Sequence, residues 1–252
     1  MRKLYRKDLE NEDVNVVGKF ENNKWTYSTE SVSLSQFVNL SNHAVVIGNG
    51  KTGNEFDLTR ILPHRESTSW GETGDWKYKR QMRNFYTYGC NAIYRNFKPD
   101  FVVATGDNFI KEIAESTYCN SNVVYASTKY LEKYSGKFNI IPQNPELNAG
   151  AMAAYLAAFD GHKKVYMLGF DGIDNPLNNY NVYAGTANYP PADQAINEEF
   201  WNRSLDLVMK TYNDTEFIRV CPTAKFRQPE MWKYNLNYRQ IDFRQFVVEA
   251  DI

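Results

Sequence analysis

Apolar residues along this chain gather in short, uninterrupted runs that end in glycine or in Asn/Asp clusters. The first is His43-Ala-Val-Val-Ile-Gly-Asn-Gly50, the pattern of a strand buried on both faces. The pattern returns at residues 101–104, closed by Thr105-Gly106-Asp107, and at 164–168, which leads into Gly169-Phe170-Asp171. Residues 84–88 alternate and run into Gly89-Cys90-Asn91. Segments 122–125, 138–141 and 217–220 read as further strands, the last closing the series. Three helices are predicted between them. Asp107 is placed to cap one that carries Phe109, Ile110 and Ile113 on a single side. An Ala-rich helix spans 148–159 and ends near Gly161. A long one covers about 195–211, with Phe200, Leu205, Leu207, Val208 and Met209 available for burial.

Strands alternating with helices imply a parallel sheet covered on both sides. The expected fold class is therefore α/β, a Rossmann-like, mostly parallel sheet with helices on both faces and extra N- and C-terminal segments. The chain divides into an N-terminal extension (1–42), a nucleotide-binding or transferase domain (43–225) and a C-terminal extension (226–252). In the first, residues 15–20 and 24–28 suit a hairpin across Glu21-Asn22-Asn23. The aromatic tail 231–252 is a docked extension or a subunit contact, which leaves a homo-oligomer open. Residues 63–80 carry Arg65, Lys77, Lys79 and Arg80 with Trp70 and Trp76. They are a lid that meets a phosphate or sugar, or simply an exposed insertion, and the insertion is the simpler reading.

Composition narrows the function classes. The chain has 252 residues, 42% hydrophobic, with 18 Tyr, 15 Phe and 5 Trp, enough to bury a core and to exclude disorder as its overall state. Its 29 Lys+Arg and 30 Asp+Glu nearly cancel, against the basic excess of a protein that coats nucleic acid. No apolar run approaches the roughly 18–20 residues of a membrane span. The charged start, MRKLYRKDLENED, does not read as a signal peptide, so a cytoplasmic protein is expected. Cys90, Cys119 and Cys221 are scattered, as are His43, His64 and His162, which argues against zinc and against a disulfide framework. No metal site is expected.

Every glycine or Asn/Asp cluster falls at the C-terminal end of a strand, the edge where open α/β sheets bind ligands. Gly48-Asn49-Gly50-Lys51-Thr52-Gly53 is not a Walker A loop, because Val45 stands where that loop needs glycine. It does meet the G-x-G-x-x-G spacing. However, the helix candidate after it, 55–62, is short and stops at Pro63, which weakens a dinucleotide reading. The turn instead suits backbone N–H contact with a nucleotide phosphate or ribose, or is a tight turn without ligand. Asn91 and Asn108 follow strand ends, where an amide can serve base, ribose or phosphate, or cap a turn. Asn148-Ala149-Gly150 opens a helix whose dipole favours an anion, and Asn148 equally suits an ordinary cap. Asp171 is placed to bind a sugar hydroxyl or polarise an acceptor, or to bond a nearby turn. Tyr180 and Tyr183 are candidate ligand contacts, or part of a loop facing solvent.

The order of these motifs resembles the bacterial sialyltransferases of glycosyltransferase family 42 and the related 6-hydroxymethylpterin diphosphokinase-like family. The resembling text is Val45-Val-Ile-Gly-Asn-Gly50, Phe56-Asp-Leu-Thr-Arg-Ile-Leu62, Gly89-Cys-Asn-Ala-Ile-Tyr94, Ala104-Thr-Gly-Asp-Asn-Phe109, Asn148-Ala-Gly-Ala-Met152, Val165-Tyr-Met-Leu-Gly-Phe-Asp171 and Cys221-Pro222. It spans about 43–225 in order. The resemblance implies a CMP-linked sugar donor bound by Gly48, Asn49, Gly50, Asn91, Asn108, Asn148, Ala149 and Gly150. The family's Ser-Gly maps onto Ala149-Gly150, so a hydroxyl contact is missing. Tyr180 and Tyr183 stand where the family's tyrosines hold the donor phosphate. The family's general-base histidine has no counterpart, since no histidine follows His162. Its loss removes a contribution of ~10²–10⁴ in rate unless Asp171, Asp193 or Glu198 substitutes.

The expected function is thus a nucleotide-sugar-dependent glycosyltransferase. Asp171, Tyr180 and Tyr183 would form the catalytic set, with no cofactor, and a glycan or small molecule as acceptor. Two alternatives stand beside it. One is Mg²⁺-dependent diphosphate transfer using Asp107 and Asp171. The other is a non-catalytic binding or structural protein, which the absent histidine, Ala149 and an occluded sheet edge would favour.

Overall fold

Strand β4 (His43–Ile47) is enclosed on both sides, and its alternate residues feed two separate cores. Val45 and Ile47 face one layer, while Ala44 and Val46 face the other. This division explains why the run is continuously apolar. In the computed structural model, the described residues are 4–7, 14–21, 24–31, 43–61, 85–130, 133–134, 136–141, 143, 145–171, 181–189, 191, 198–223 and 225–252. The expected insertion 63–80, Tyr180 and Asp193 lie outside them.

Beyond β4 the sheet contains β5 (Phe85–Cys90), β6 (Phe101–Val103), β7 (Val123–Ala126), β8 (Asn139–Ile140), β9 (Lys164–Leu168), β10 (Glu216–Cys221) and β11 (Tyr238–Asp242). All eight strands are parallel, in the order β11-β10-β9-β4-β5-β6-β7-β8. The chain builds outward from β4 through β8, then crosses back to β9 on the other side of β4 and builds outward again. The reversal lies between β4 and β9, in register from His43 with Lys164 to Ile47 with Leu168. Such a switch point opens a crevice at the C-terminal strand ends.

Helices cover both faces, as expected. Helices α2 (Ala149–Phe159) and α3 (Glu198–Thr211) belong to one core, and α1 (Asp107–Glu115) and α4 (Phe243–Ala250) to the other. Residues 150–158 of α2 are all buried, so this helix lacks a polar face. Asn148 caps it, its side chain accepting from the Ala151 N–H at 3.0 Å.

Several expectations need correction. Residues 217–220 are not the last strand, because the aromatic tail supplies edge strand β11 and helix α4. In place of a helix over 55–62 there are two 3₁₀ turns, Lys51–Glu55 and Leu58–Ile61. The cap of α1 is Gly106, at φ +83°, a conformation that favours glycine. Asp107 instead bonds the Tyr130 hydroxyl at 2.7 Å and Lys129 at 3.2 Å. On α3, Leu205, Val208 and Met209 are buried, whereas Phe200 and Leu207 are 48% and 56% exposed. The expected hairpin is present and longer than read, pairing β2 (Val14–Glu21) with β3 (Lys24–Ser31). With β1 (Leu4–Lys7) it forms an antiparallel three-stranded sheet.

Candidate functional site

At the switch point the two strand ends touch through glycine. A Cβ on Gly48 would lie 2.6 Å from the Gly169 carbonyl oxygen, and one on Gly50 would lie 2.4 Å from it. A Cβ on Gly53 would meet the Gly169 Cα at 3.2 Å. All three glycines of the G-x-G-x-x-G spacing therefore pack against one residue, itself held at φ +69°. Close approach of backbone requires the pattern, with no dinucleotide needed to explain it.

The same contact corrects the expected role of the turn. The Gly48 N–H donates to the Leu168 carbonyl at 2.8 Å, and the Gly50 N–H to Gly169 at 2.9 Å. The Asn49 N–H reaches the Cys90 thiol, which burial pushes up to about 12. The backbone donors of Gly48, Asn49 and Gly50 are thus all engaged inside the protein and do not face a phosphate. Side chains carry the chemistry of this edge.

Those side chains converge on one hydroxyl. The Asn49 Nδ2 donates to Tyr189 Oη across 140 residues of sequence. The Ala92 N–H and the Asn181 and Asn91 side chains also bond Tyr189. They partly offset the burial that pushes its phenol well above the ordinary range. Asn91 sits at φ +45° directly after β5, and its Oδ1 accepts from the Thr105 N–H at 2.9 Å. The Asn49 Oδ1 is buried and no donor meets it among the described residues. That amide edge therefore has a donor on a protein hydroxyl and an acceptor awaiting a partner.

Residues 181–189 cover this cluster and are fastened at several points. The Val182 N–H donates to the Asn49 carbonyl at 2.8 Å, and Gly50 bridges Asn181. Arg95 is paired with Glu112 at 2.6 Å and donates to Thr186 Oγ1 and the Ala187 carbonyl, each at 2.9 Å. Its guanidinium lies 5.5 Å from the centre of the Phe109 ring and 5.8 Å from that of Tyr183. Tyr183 is buried in a small cluster with Ala92 and Phe109 and stacks on Tyr189. It is a packing residue of the cover here, not an exposed phosphate contact.

Asp171 is also committed. Its carboxylate accepts from the Thr52 N–H at 3.0 Å, from the Thr52 hydroxyl and from the Lys51 N–H. Burial raises its pKa, and these bonds with the nearby Arg219 oppose the rise. Asp171 thus clamps the glycine turn rather than facing an acceptor. Asp107 bonds Tyr130 and Lys129, so the two carboxylates of the diphosphate-transfer alternative are held by different partners. Asn108 is exposed in the first turn of α1. Asn148, Ala149 and Gly150 open α2 at the same sheet edge, with Gly150 against the Phe170 ring.

The structure therefore joins Gly48, Asn49, Gly50, Asn91 and Asp171 around the switch point. Sequence reasoning missed Tyr189, Asn181 and Arg95. The available signal was the second tyrosine in Tyr183-Ala-Gly-Thr-Ala-Asn-Tyr189 and the first cation after the Gly89-Cys90-Asn91 turn.

No family model matches the chain, and no curated protein does. It is similar in structure to sialyltransferases. One is the monofunctional α-2,3-sialyltransferase Cst-I of Campylobacter jejuni, with a TM-score of 0.44 and 14% identity over 72% of this chain and 76% of that one. Another is the sialyltransferase CstII of the same organism in complex with cytidine-5′-monophosphate, with a TM-score of 0.41 and 16% identity over 78% and 87%. A third is a CST-II variant in complex with CMP, with a TM-score of 0.45 and 13% identity over 83% and 98%. Likeness this distant assigns no role to a residue of this chain.

Proposed function

We propose that the chain binds a nucleotide at the switch-point edge and transfers the sugar attached to it. The Asn49 amide carries the reading: its Nδ2 is on the Tyr189 hydroxyl, and its Oδ1 is buried with no donor among the described residues. A buried acceptor left unmet costs ~1–3 kcal/mol. A pyrimidine edge or a ribose diol, with donor and acceptor side by side, satisfies both atoms. The motif order that resembles family 42 makes a CMP-linked sugar the first donor to test.

The chemistry would be direct displacement. An acceptor hydroxyl attacks the anomeric carbon and releases its proton to water, the bond to the nucleotide phosphate breaks, and the phosphate oxygen keeps the electron pair. The start of α2 has the sign to oppose that growing charge. Asp171 is unsuited as base while it holds Thr52. Asp193 and the Glu198 side chain lie outside the described residues.

A non-catalytic protein on this fold is the second reading, favoured by Tyr189 filling the asparagine cluster. Calorimetric titration with CMP, UDP and ATP, with and without Mg²⁺, separates the two. CMP or UDP binding without metal, weakened at least tenfold by Asn49→Ala, is the expected result. Silence from all three nucleotides would leave the non-catalytic reading, and ATP binding only with Mg²⁺ would replace transfer of a sugar with transfer of diphosphate.

A further inference from the structure

A cavity of about 560 Å³ opens beside the loop that joins β10 to β11, at the same sheet edge as Gly169–Asp171. That is within the range of small-molecule sites. Lys225, Arg227 and Lys233 line it against the single carboxylate of Glu230, which is already paired with Lys233 at 2.6 Å. Behind its wall lies Arg219, wholly buried. Its guanidinium donates to the carbonyls of Phe170, Asp171 and Arg227 and to Gln240 Oε1, all of them neutral. Asp171, the carboxylate that feels this charge, is bonded to Thr52. Arg219 therefore contributes positive potential from the interior while Lys225 and Arg227 contribute it at the rim.

Two further features narrow the ligand. Gln228 puts a neutral amide in the lining, a group that can both donate to and accept from a hydroxyl. Phe226 and Met231 give the lining an apolar part. We propose that this cavity binds an anionic saccharide, one carrying a carboxylate or a phosphate, as the acceptor side of the site. The anionic group meets Lys225 and Arg227, and a sugar hydroxyl meets the Gln228 amide. Arg219 ties the cavity directly to the end of β9, so the position adjoins the switch point. The assignment as acceptor rests on the transferase reading; the saccharide site does not.

The test is ligand-detected NMR titration with glucuronic acid, glucose 6-phosphate, neutral glucose and inorganic phosphate. At least one acidic sugar is expected to bind tenfold or more tightly than glucose, with affinity falling as salt rises. The better of the two acids identifies the anionic group. The double variant Lys225→Ala/Arg227→Ala, altered only at exposed side chains, should lose that preference while CMP affinity and melting temperature stay unchanged. Arg227→Gln alone should reduce it about threefold. Equal binding of all sugars, no binding, retention of the preference in the double variant, or phosphate matching glucose 6-phosphate would each overturn the proposal. Acidic-sugar binding without CMP binding would keep the cavity and remove the nucleotide reading.

Discussion

Tyr189 is the residue on which the site turns. Its hydroxyl stands where Asn49, Asn91, Asn181 and the Ala92 N–H meet, so a ligand oxygen must take its place. Tyr189→Phe removes the competitor and leaves the ring in the cover. Nucleotide affinity should therefore rise about tenfold, equal to ~1.4 kcal/mol. The empty protein should melt lower, because Asn49 Nδ2 then lacks an acceptor. Titration and thermal unfolding of the same variant measure both. Weaker nucleotide binding would show that the hydroxyl is itself a ligand contact. At this scale the sequence was legible in part. Asn49 and Asn91 stand out as amides at strand ends. The use of the Gly48 and Gly50 N–H groups did not, because their partners, Leu168 and Gly169, lie about 120 residues away in the chain.

At the scale of elements, α2 and β9 join at a buried polar knot on the opposite edge of the sheet. The Tyr88 hydroxyl donates to Asp160 Oδ2 at 2.6 Å and lies 3.0 Å from His162 Nε2. Burial pushes the Asp160 carboxyl up to about 7, and the Tyr88 bond opposes this. The folded protein thus keeps this proton to higher pH than the unfolded chain. The stability so contributed is complete below about pH 4, falls as pH rises toward 7, and is lost above it, at up to ~1.4 kcal/mol per pH unit. Urea unfolding between pH 4 and 8 should show that decline in the wild type and a flatter profile in Asp160→Asn. An unchanged slope in the variant would place the titration elsewhere. The elements themselves were readable where the core dictates them. Val45–Ile47 and Val165–Leu168 are apolar throughout because both faces are buried. The two short 3₁₀ turns after Gly50 were not, because the apolar spacing over 55–62 reads as a single helix.

For the whole molecule, the reversal of strand order between β4 and β9 forms the kind of crevice in which open α/β sheets bind ligands. The parallel order was predictable from alternating strands and helices. The eighth strand was not, because the tail around Tyr238–Asp242 is polar on its partly exposed face and reads as an extension. No helix among the described residues is long and apolar enough to cross a membrane. Cys90, Cys119 and Cys221 are all buried and in no disulfide, consistent with their reading as core thiols. The proposed nucleotide occupies the position now held by the Tyr189 hydroxyl. The most direct test is a crystal structure of the chain with CMP. The expected result is CMP at the switch point, bonded to both atoms of the Asn49 amide, with the Tyr189 hydroxyl displaced from it. CMP bound elsewhere, or at this edge with the Asn49–Tyr189 bond intact, would contradict the account.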